Sequence, residues 1–187
     1  MALKYSTMLE LESNLIEFNL LNTISGKLFS SESLDDSKPS LIMFICNHCP
    51  YVIHYHQQIQ KLEFDFGYKL NLIAISSNDI ENYPQDHPDK MSLLWSELGL
   101  EFPYLFDDTQ DIAMKFQAQC TPEFYLFNSS RKLVYRGRFD ETSPGSNKLP
   151  DGKDLRDAIL NLLEGKVISP DQHPSMGCSI KWKANSQ

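Results

Sequence analysis

The sequence predicts an α/β fold with a central mixed sheet flanked by helices, and three observations predict it. Continuous apolar runs of strand length, Leu41-Ile42-Met43-Phe44-Ile45 and Leu72-Ile73-Ala74-Ile75, alternate with segments of helical periodicity. Such alternation implies crossover connections and a mostly parallel sheet. Two further apolar runs, residues 124–127 and 133–135, are separated by Asn128-Ser129-Ser130-Arg131-Lys132 and read as an antiparallel hairpin added to that sheet. Finally, Cys46-Asn47-His48-Cys49-Pro50 stands where the first long strand gives way to a helix.

The elements follow in order. Residues 1–40 read as an extension, with a short strand at Phe18, Leu20 and Leu21, a turn at Gly26 and a second strand at Lys27-Leu28-Phe29. The polar run 30–40 is a loop or a short helix. Residues 41–45 suit a central strand buried on both faces. Pro50 fits the first turn of the next helix without losing a hydrogen bond. Val52, His56, Ile59 and Leu62 then recur at helical spacing until Gly67. Residues 70–76 form the next strand, and 78–88 are polar and turn-rich. Met91, Leu94, Trp95 and Leu98 make an amphipathic stripe ending at Gly99. Residues 102–106 form a short strand, and Asp107 or Asp108 caps a helix carrying Ile112, Ala113 and Phe116. After a loop over 142–151, Leu155, Ile159, Leu162 and Leu163 form the last helical stripe, closed by Gly165. The expected organisation is one domain over 1–187, with an N-terminal extension 1–40, a core 41–165 and a C-terminal tail 166–187.

Composition narrows the function. The chain has 187 residues, 41% of them hydrophobic, which is ordinary for a globular protein. Its net charge of −8, without a basic run, disfavours a nucleic-acid surface. No secretory apolar region and no membrane-length apolar span are present, so the expectation is a soluble cytoplasmic protein with no membrane partner. Four cysteines, Cys46, Cys49, Cys120 and Cys178, are too few for a small disulfide-stapled scaffold. In a reducing compartment a close cysteine pair points to catalysis or metal binding.

The Cys-x-x-Cys pair carries the chemistry. Cys46 precedes the helix and is assigned as the attacking, more exposed thiol, because free N–H groups at a helix start favour a thiolate. Cys49 is the resolving thiol that releases a mixed disulfide. His48, between them, stabilises the Cys46 thiolate if its ring faces that sulfur; otherwise it points to solvent. Asn47 and Pro50 flank the pair as candidate substrate contacts. A metal-binding alternative would gather Cys46, His48, Cys49, His54 and His56, but His54 and His56 are two residues apart and do not share a helix face. No metal or cofactor is therefore expected. A scaffold that kept the fold without catalysis is a further alternative. Asp86 and His87, in a Pro-rich loop, read as solvated turn residues. Cys120 is either an auxiliary thiol or a small buried hydrophobe. Cys178 either resolves an oxidised Cys46 or packs on the domain through Ile180 and Trp182.

The chain resembles the peroxiredoxin-like, redoxin (AhpC/TSA) group of the thioredoxin superfamily. The likeness is carried by Phe44-Ile45-Cys46-Asn47-His48-Cys49-Pro50-Tyr51-Val52, by Ser76-Ser77-Asn78-Asp79 with Tyr83-Pro84, and by Phe102-Pro103-Tyr104-Leu105. It continues through Cys120-Thr121-Pro122, residues 133–140 and Pro174-Ser175-Met176-Gly177-Cys178-Ser179-Ile180-Lys181-Trp182, covering about residues 15 to 183. The resemblance implies a thioredoxin-like fold with a peroxiredoxin-like N-terminal extension and a C-terminal tail. It also implies that Pro122 is a cis proline facing the dithiol, and that Thr121 presents backbone groups to an extended substrate. Typical peroxiredoxins carry a Thr three residues before the reactive Cys. Here Met43 precedes Cys46 and Cys46 precedes Cys49 at that distance. Arg136 or Arg138 is the candidate guanidinium for a peroxide. The expected activity is thus thiol–disulfide exchange with a protein or small-molecule disulfide, recharged by a thiol reductant system, with thiol-dependent peroxidase activity through Cys46 as the alternative. A monomer and a homodimer fit equally.

Overall fold

The structure, a computed structural model, describes residues 3–184. Its elements are β1 (Leu3–Tyr5), β2 (Asn19–Asn22), β3 (Lys27–Ser30), β4 (Ser40–Phe44), α1 (Pro50–His54), α2 (His56–Phe66), β5 (Asn71–Ser76), α3 (Pro88–Leu98), β6 (Tyr104–Phe106), α4 (Asp111–Lys115), β7 (Cys120–Thr121), β8 (Glu123–Phe127), β9 (Leu133–Gly137), α5 (Lys153–Leu163) and β10 (Met176–Ser179). Single 3-10 turns lie at Ser31–Ser33 and Pro84–Asp86.

Seven strands form one sheet in the order β3-β2-β6-β5-β4-β8-β9. β4, β5 and β6 run parallel, and β2, β3, β8 and β9 pair antiparallel to their neighbours. This is a thioredoxin-like α/β fold with a mixed central sheet. Successive side chains of a strand point to opposite faces, so β4 divides its apolar run between two cores. Leu41 and Met43 pack with Ile59 and Leu62 of α2, Trp95 of α3 and Ile159 of α5. Ile42 and Phe44 pack on the other face with Ile112 of α4 and with Phe116. Covering both faces is why β4 and β5 need unbroken apolar runs rather than alternation.

Two local features depart from expectation, and a third decides between two expected residues. The helix anticipated from Pro50 to Gly67 is broken at Tyr55, where φ −100° and ψ 2° leave the helical region. The Tyr55 hydroxyl donates to Asp140 Oδ1 at 3.1 Å and to the Thr142 carbonyl at 2.8 Å, so the residue at the break is tied to the loop after β9. Asp107, rather than Asp108, serves α4, accepting from the N–H groups of Ile112 and Ala113. The C-terminal segment, anticipated as a tail, supplies β10, which lies between β1 and β7 in a second, three-stranded sheet. Gly177 permits this approach: a Cβ there would lie 2.1 Å from the Thr121 carbonyl oxygen.

Candidate active site

The site forms where the end of β4 meets the start of α1 and the β7–β8 junction. Pro50 is the first residue of α1 and Cys49 its N-cap. Thr121 closes β7, and the Thr121–Pro122 peptide is cis. Thr121 touches both thiols: its Oγ1 lies 3.3 Å from Cys46 Sγ, and its carbonyl oxygen lies 3.1 Å from Cys49 Sγ. The Cys178 sulfur, brought in on β10, is 2.7 Å from Cys49 Sγ.

Electrostatics divides the pair. Cys178, then Cys46, hydrogen-bond to the Cys49 sulfur, and the backbone N–H groups of Cys178 and Val52 add to them. Against desolvation, these donors hold Cys49 well below the usual thiol range. Its hydrogen bond with Cys49, its burial and the nearby Asp86 carboxylate hold Cys46 above that range, against a lowering contribution from the Thr121 hydroxyl. Both sulfurs are buried, and the Cys49 thiol donates to the Thr121 carbonyl, which can only accept. The sequence reading makes Cys46 the attacking and more exposed thiol; both thiols are buried, with Cys46 1% and Cys49 0% exposed. Cys46 is covered because the segment around Asp86 folds back over the Cys-x-x-Cys loop.

Asp86 is the clearest correction among the polar residues. Expected in solvent, it is fully buried. Its Oδ1 accepts from the Asn47 N–H at 2.8 Å, and its Oδ2 accepts from Asn78 Nδ2 at 2.8 Å and lies 2.7 Å from His48 Nδ1. The His48 ring stacks on Tyr83, with centroids 5.6 Å apart and planes within 9°. Asn47 is committed to the same network: its Oδ1 accepts from the Tyr104 hydroxyl and its Nδ2 donates to the Gln85 carbonyl. Asp86, Asn78, Tyr83 and Tyr104 were missed as site residues. Two of the stretches carrying the family resemblance contain Asn78, Tyr83 and Tyr104, and that was the signal available.

The remaining candidates separate. Cys120 faces Glu123 Oε2 at 3.7 Å and the Pro122 carbonyl at 3.9 Å, on the side of β7 away from the dithiol contacts. Arg136 is not brought to Cys46. Its Nε donates to the Leu9 carbonyl and its Nη1 to Gln172 Oε1. Pro50 is exposed beside the pair. Among potential metal ligands, the structure gathers Cys46, His48 and Asp86, whose donor atoms lie within 4.8 Å of one another. It takes His54 away to Thr142 Oγ1 at 2.8 Å. A cavity of about 190 Å³ opens on the far side of Pro122, lined in part by Tyr5, Arg138, Phe139, Pro174 and Met176. No helix among the described residues is long and apolar enough to cross a membrane.

Comparison with known proteins bears on the family and the fold. The family model described as Redoxin matches residues 13–155. Among curated proteins none matches. The crystal structure of an uncharacterized conserved protein from Geobacillus kaustophilus is 41% identical, with a TM-score of 0.95 over 99% of this chain and 98% of that one. A hypothetical protein from Sinorhizobium meliloti 1021 is 37% identical, with a TM-score of 0.93 over 97% and 99% of the two chains. A secreted disulfide oxidoreductase from Mycobacterium tuberculosis is 16% identical, with a TM-score of 0.59 over 78% and 96%. At that identity the likeness speaks for the fold alone.

Proposed function

The chain belongs to the Redoxin family, and on that premise we propose that it is a thiol–disulfide oxidoreductase working through Cys46 and Cys49. The reading rests on one observation above others: two cysteines three positions apart both contact Thr121, one through its hydroxyl and one through its carbonyl. Cys46 attacks a substrate disulfide. A mixed disulfide forms, and the first substrate thiol departs with the Cys46 proton. Cys49, as the thiolate, then attacks the Cys46 sulfur, closing the Cys46–Cys49 bond. The second substrate thiolate is released and takes a proton from solvent. Two electrons pass from the dithiol to the substrate, and a separate thiol reductant returns them. In this reading Thr121 and Pro122 present backbone groups to an extended substrate segment, and the Asp86 network fixes the loop that carries Asn47 and His48.

The test is the redox equilibrium of the pair, read by alkylation and mass spectrometry in glutathione buffers. A single two-electron transition between about −270 and −200 mV, where thioredoxin-type and glutaredoxin-type pairs lie, supports the proposal. Failure to form the Cys46–Cys49 disulfide in any buffer ends it. Peroxide reduction has weaker support, since Arg136 is engaged with Leu9 and Gln172 and Met43 replaces the expected hydroxyl residue. Peroxide consumption well above that of a free thiol, and abolished by Cys46→Ser, would favour it instead.

A further inference from the structure

Cys178 lies more than a hundred residues from the Cys-x-x-Cys pair, yet its sulfur is 2.7 Å from Cys49. That position is built rather than incidental. β10 pairs with β1 through Leu3 opposite Cys178, and with β7 through Thr121 opposite Cys178. The strand is also fixed just beyond the cysteine. The Lys181 N–H donates to Asn78 Oδ1 at 2.9 Å, and the Asp79 N–H donates to the Lys181 carbonyl at 2.8 Å. Ile180 is buried in the core. Gly177 lets β10 close on Thr121, as any side chain there would strike its carbonyl. Cys46 and Cys178 thus reach Cys49 from two separate elements, the loop before α1 and β10.

We propose that Cys49 is a pivot which forms a disulfide with either neighbour, and that Cys178 is a second exchange thiol moving the oxidised bond off Cys46. This rests on the oxidoreductase reading above. The step balances without a further reagent. The Cys178 thiolate attacks the Cys49 sulfur of the Cys46–Cys49 disulfide. The Cys49–Cys178 bond forms, the Cys46–Cys49 bond breaks, and Cys46 leaves as a thiolate that takes up the proton Cys178 gave up. The protein stays oxidised by two electrons, while Cys46 is again a free thiol facing Thr121.

The surroundings of Cys178 suit a thiol that acts only after the pair is oxidised. In the reduced site, its hydrogen bond with Cys49 and its burial hold it protonated, and the charge on Cys49 adds to them; Lys181 opposes this. Oxidation of Cys49 removes the hydrogen bond and the charge together, leaving Lys181 and the Tyr51 N–H against desolvation. The trigger for Cys178 is therefore the Cys46–Cys49 bond itself.

The test uses the full chain in glutathione buffers, with acid quench, alkylation and mass-spectrometric mapping of linked peptides. In Cys46→Ser, Cys49 and Cys178 are expected to form an intramolecular disulfide in most of the protein, and in Cys46→Ser/Cys178→Ser this linkage is absent. In the wild type, a peptide containing Cys178 is expected to be linked to the Cys46–Cys49 peptide, and the link is lost in Cys49→Ser. If Cys49 and Cys178 stay alkylatable in Cys46→Ser, and no Cys178 link appears in the wild type while Cys46–Cys49 still closes, the pivot is overturned and the oxidoreductase reading stands. If Cys46–Cys49 itself never closes, both fall. The wild-type map decides the question should Cys46→Ser fail to fold.

Discussion

Replacing Gly177 by Ala isolates the contact that holds β10 on the site. The new Cβ would stand 2.1 Å from the Thr121 carbonyl oxygen, 2.7 Å from its carbon and 3.2 Å from Pro122 N. All three atoms are backbone, so no rotamer change relieves the clash, and β10 must move away from β7. Overpacking of this kind costs about 1–3 kcal/mol. Each β7–β10 backbone hydrogen bond lost adds about 0.5–1.5 kcal/mol. A total of about 2–4 kcal/mol, with a urea slope of about 2 kcal/mol/M, lowers the unfolding midpoint by about 1–2 M. The same displacement separates Cys178 from Cys49, so alkylation of Cys178 in the native protein accelerates. Gly26→Ala is the control. Its φ of +68° penalises a side chain, but no atom lies within 4 Å of the added Cβ. It should therefore cost only the left-handed penalty of about 1–2 kcal/mol and leave Cys178 protection unchanged. An unchanged urea midpoint and unchanged Cys178 labelling in Gly177→Ala would refute the reasoning.

Three further outcomes are expected. Thr121→Val keeps the shape and removes the hydroxyl that lowers the Cys46 pKa; the pH profile of Cys46 alkylation should move up by no more than about one unit, the equivalent of one hydrogen bond. Asp140 is drawn up by burial, but hydrogen bonds from Thr142, Gly152 and Asp151 outweigh this and leave its carboxyl below the ordinary value. A depressed carboxylate contributes stability that is present above its unfolded pKa and lost as pH falls through the folded one. Asp140→Asn should therefore cost about 2–4 kcal/mol at pH 7, with the gap to wild type narrowing below about pH 4 in urea titrations. Asp86→Ala leaves the Asn47 N–H, Asn78 and His48 without their buried acceptor. A loss of about 3–5 kcal/mol is expected by thermal or urea unfolding, and a loss within error would show that water replaces the carboxylate.

What the sequence made legible was set by burial patterns and by local chemistry. The apolar run of β4, the Met91-to-Leu98 stripe of α3 and the 128–132 hairpin loop each answer to a short-range rule, and all appear where that rule puts them. β10 was not legible because Met176-Gly177-Cys178-Ser179 is short and has no β-branched or aromatic residue. It is a strand only because β1 and β7 offer it partners on both sides. The residue at the α1–α2 break, Tyr55, is tied to Asp140 and Thr142, more than eighty residues away, and no helical periodicity reports such a contact. Asp86 looked solvated because Pro84 and Pro88 bracket it in a polar segment; its burial follows from donors on Asn47 and Asn78 that only the folded chain brings together.

The site is assembled mainly by long-range contacts, and this bears on how its chemistry is controlled. Cys46 and Cys49 are neighbours in sequence and act on each other, yet further groups that set them apart come from elsewhere. Asp86 raises Cys46 from the loop after β5, and Cys178 lowers Cys49 from the C-terminal strand. Asn78 joins these two influences. Its Nδ2 donates to Asp86, and its Oδ1 accepts from the Lys181 N–H three residues beyond Cys178. A movement of β10 therefore cannot change the surroundings of Cys49 alone, since through Asn78 it also reaches the carboxylate beside Cys46. A Cys-x-x-Cys pair read in isolation has its properties set by its two intervening residues. In this chain Asn47 and His48 are themselves held by Asp86, so the balance between the thiols belongs to the loop, the cis-proline segment and the terminal strand together.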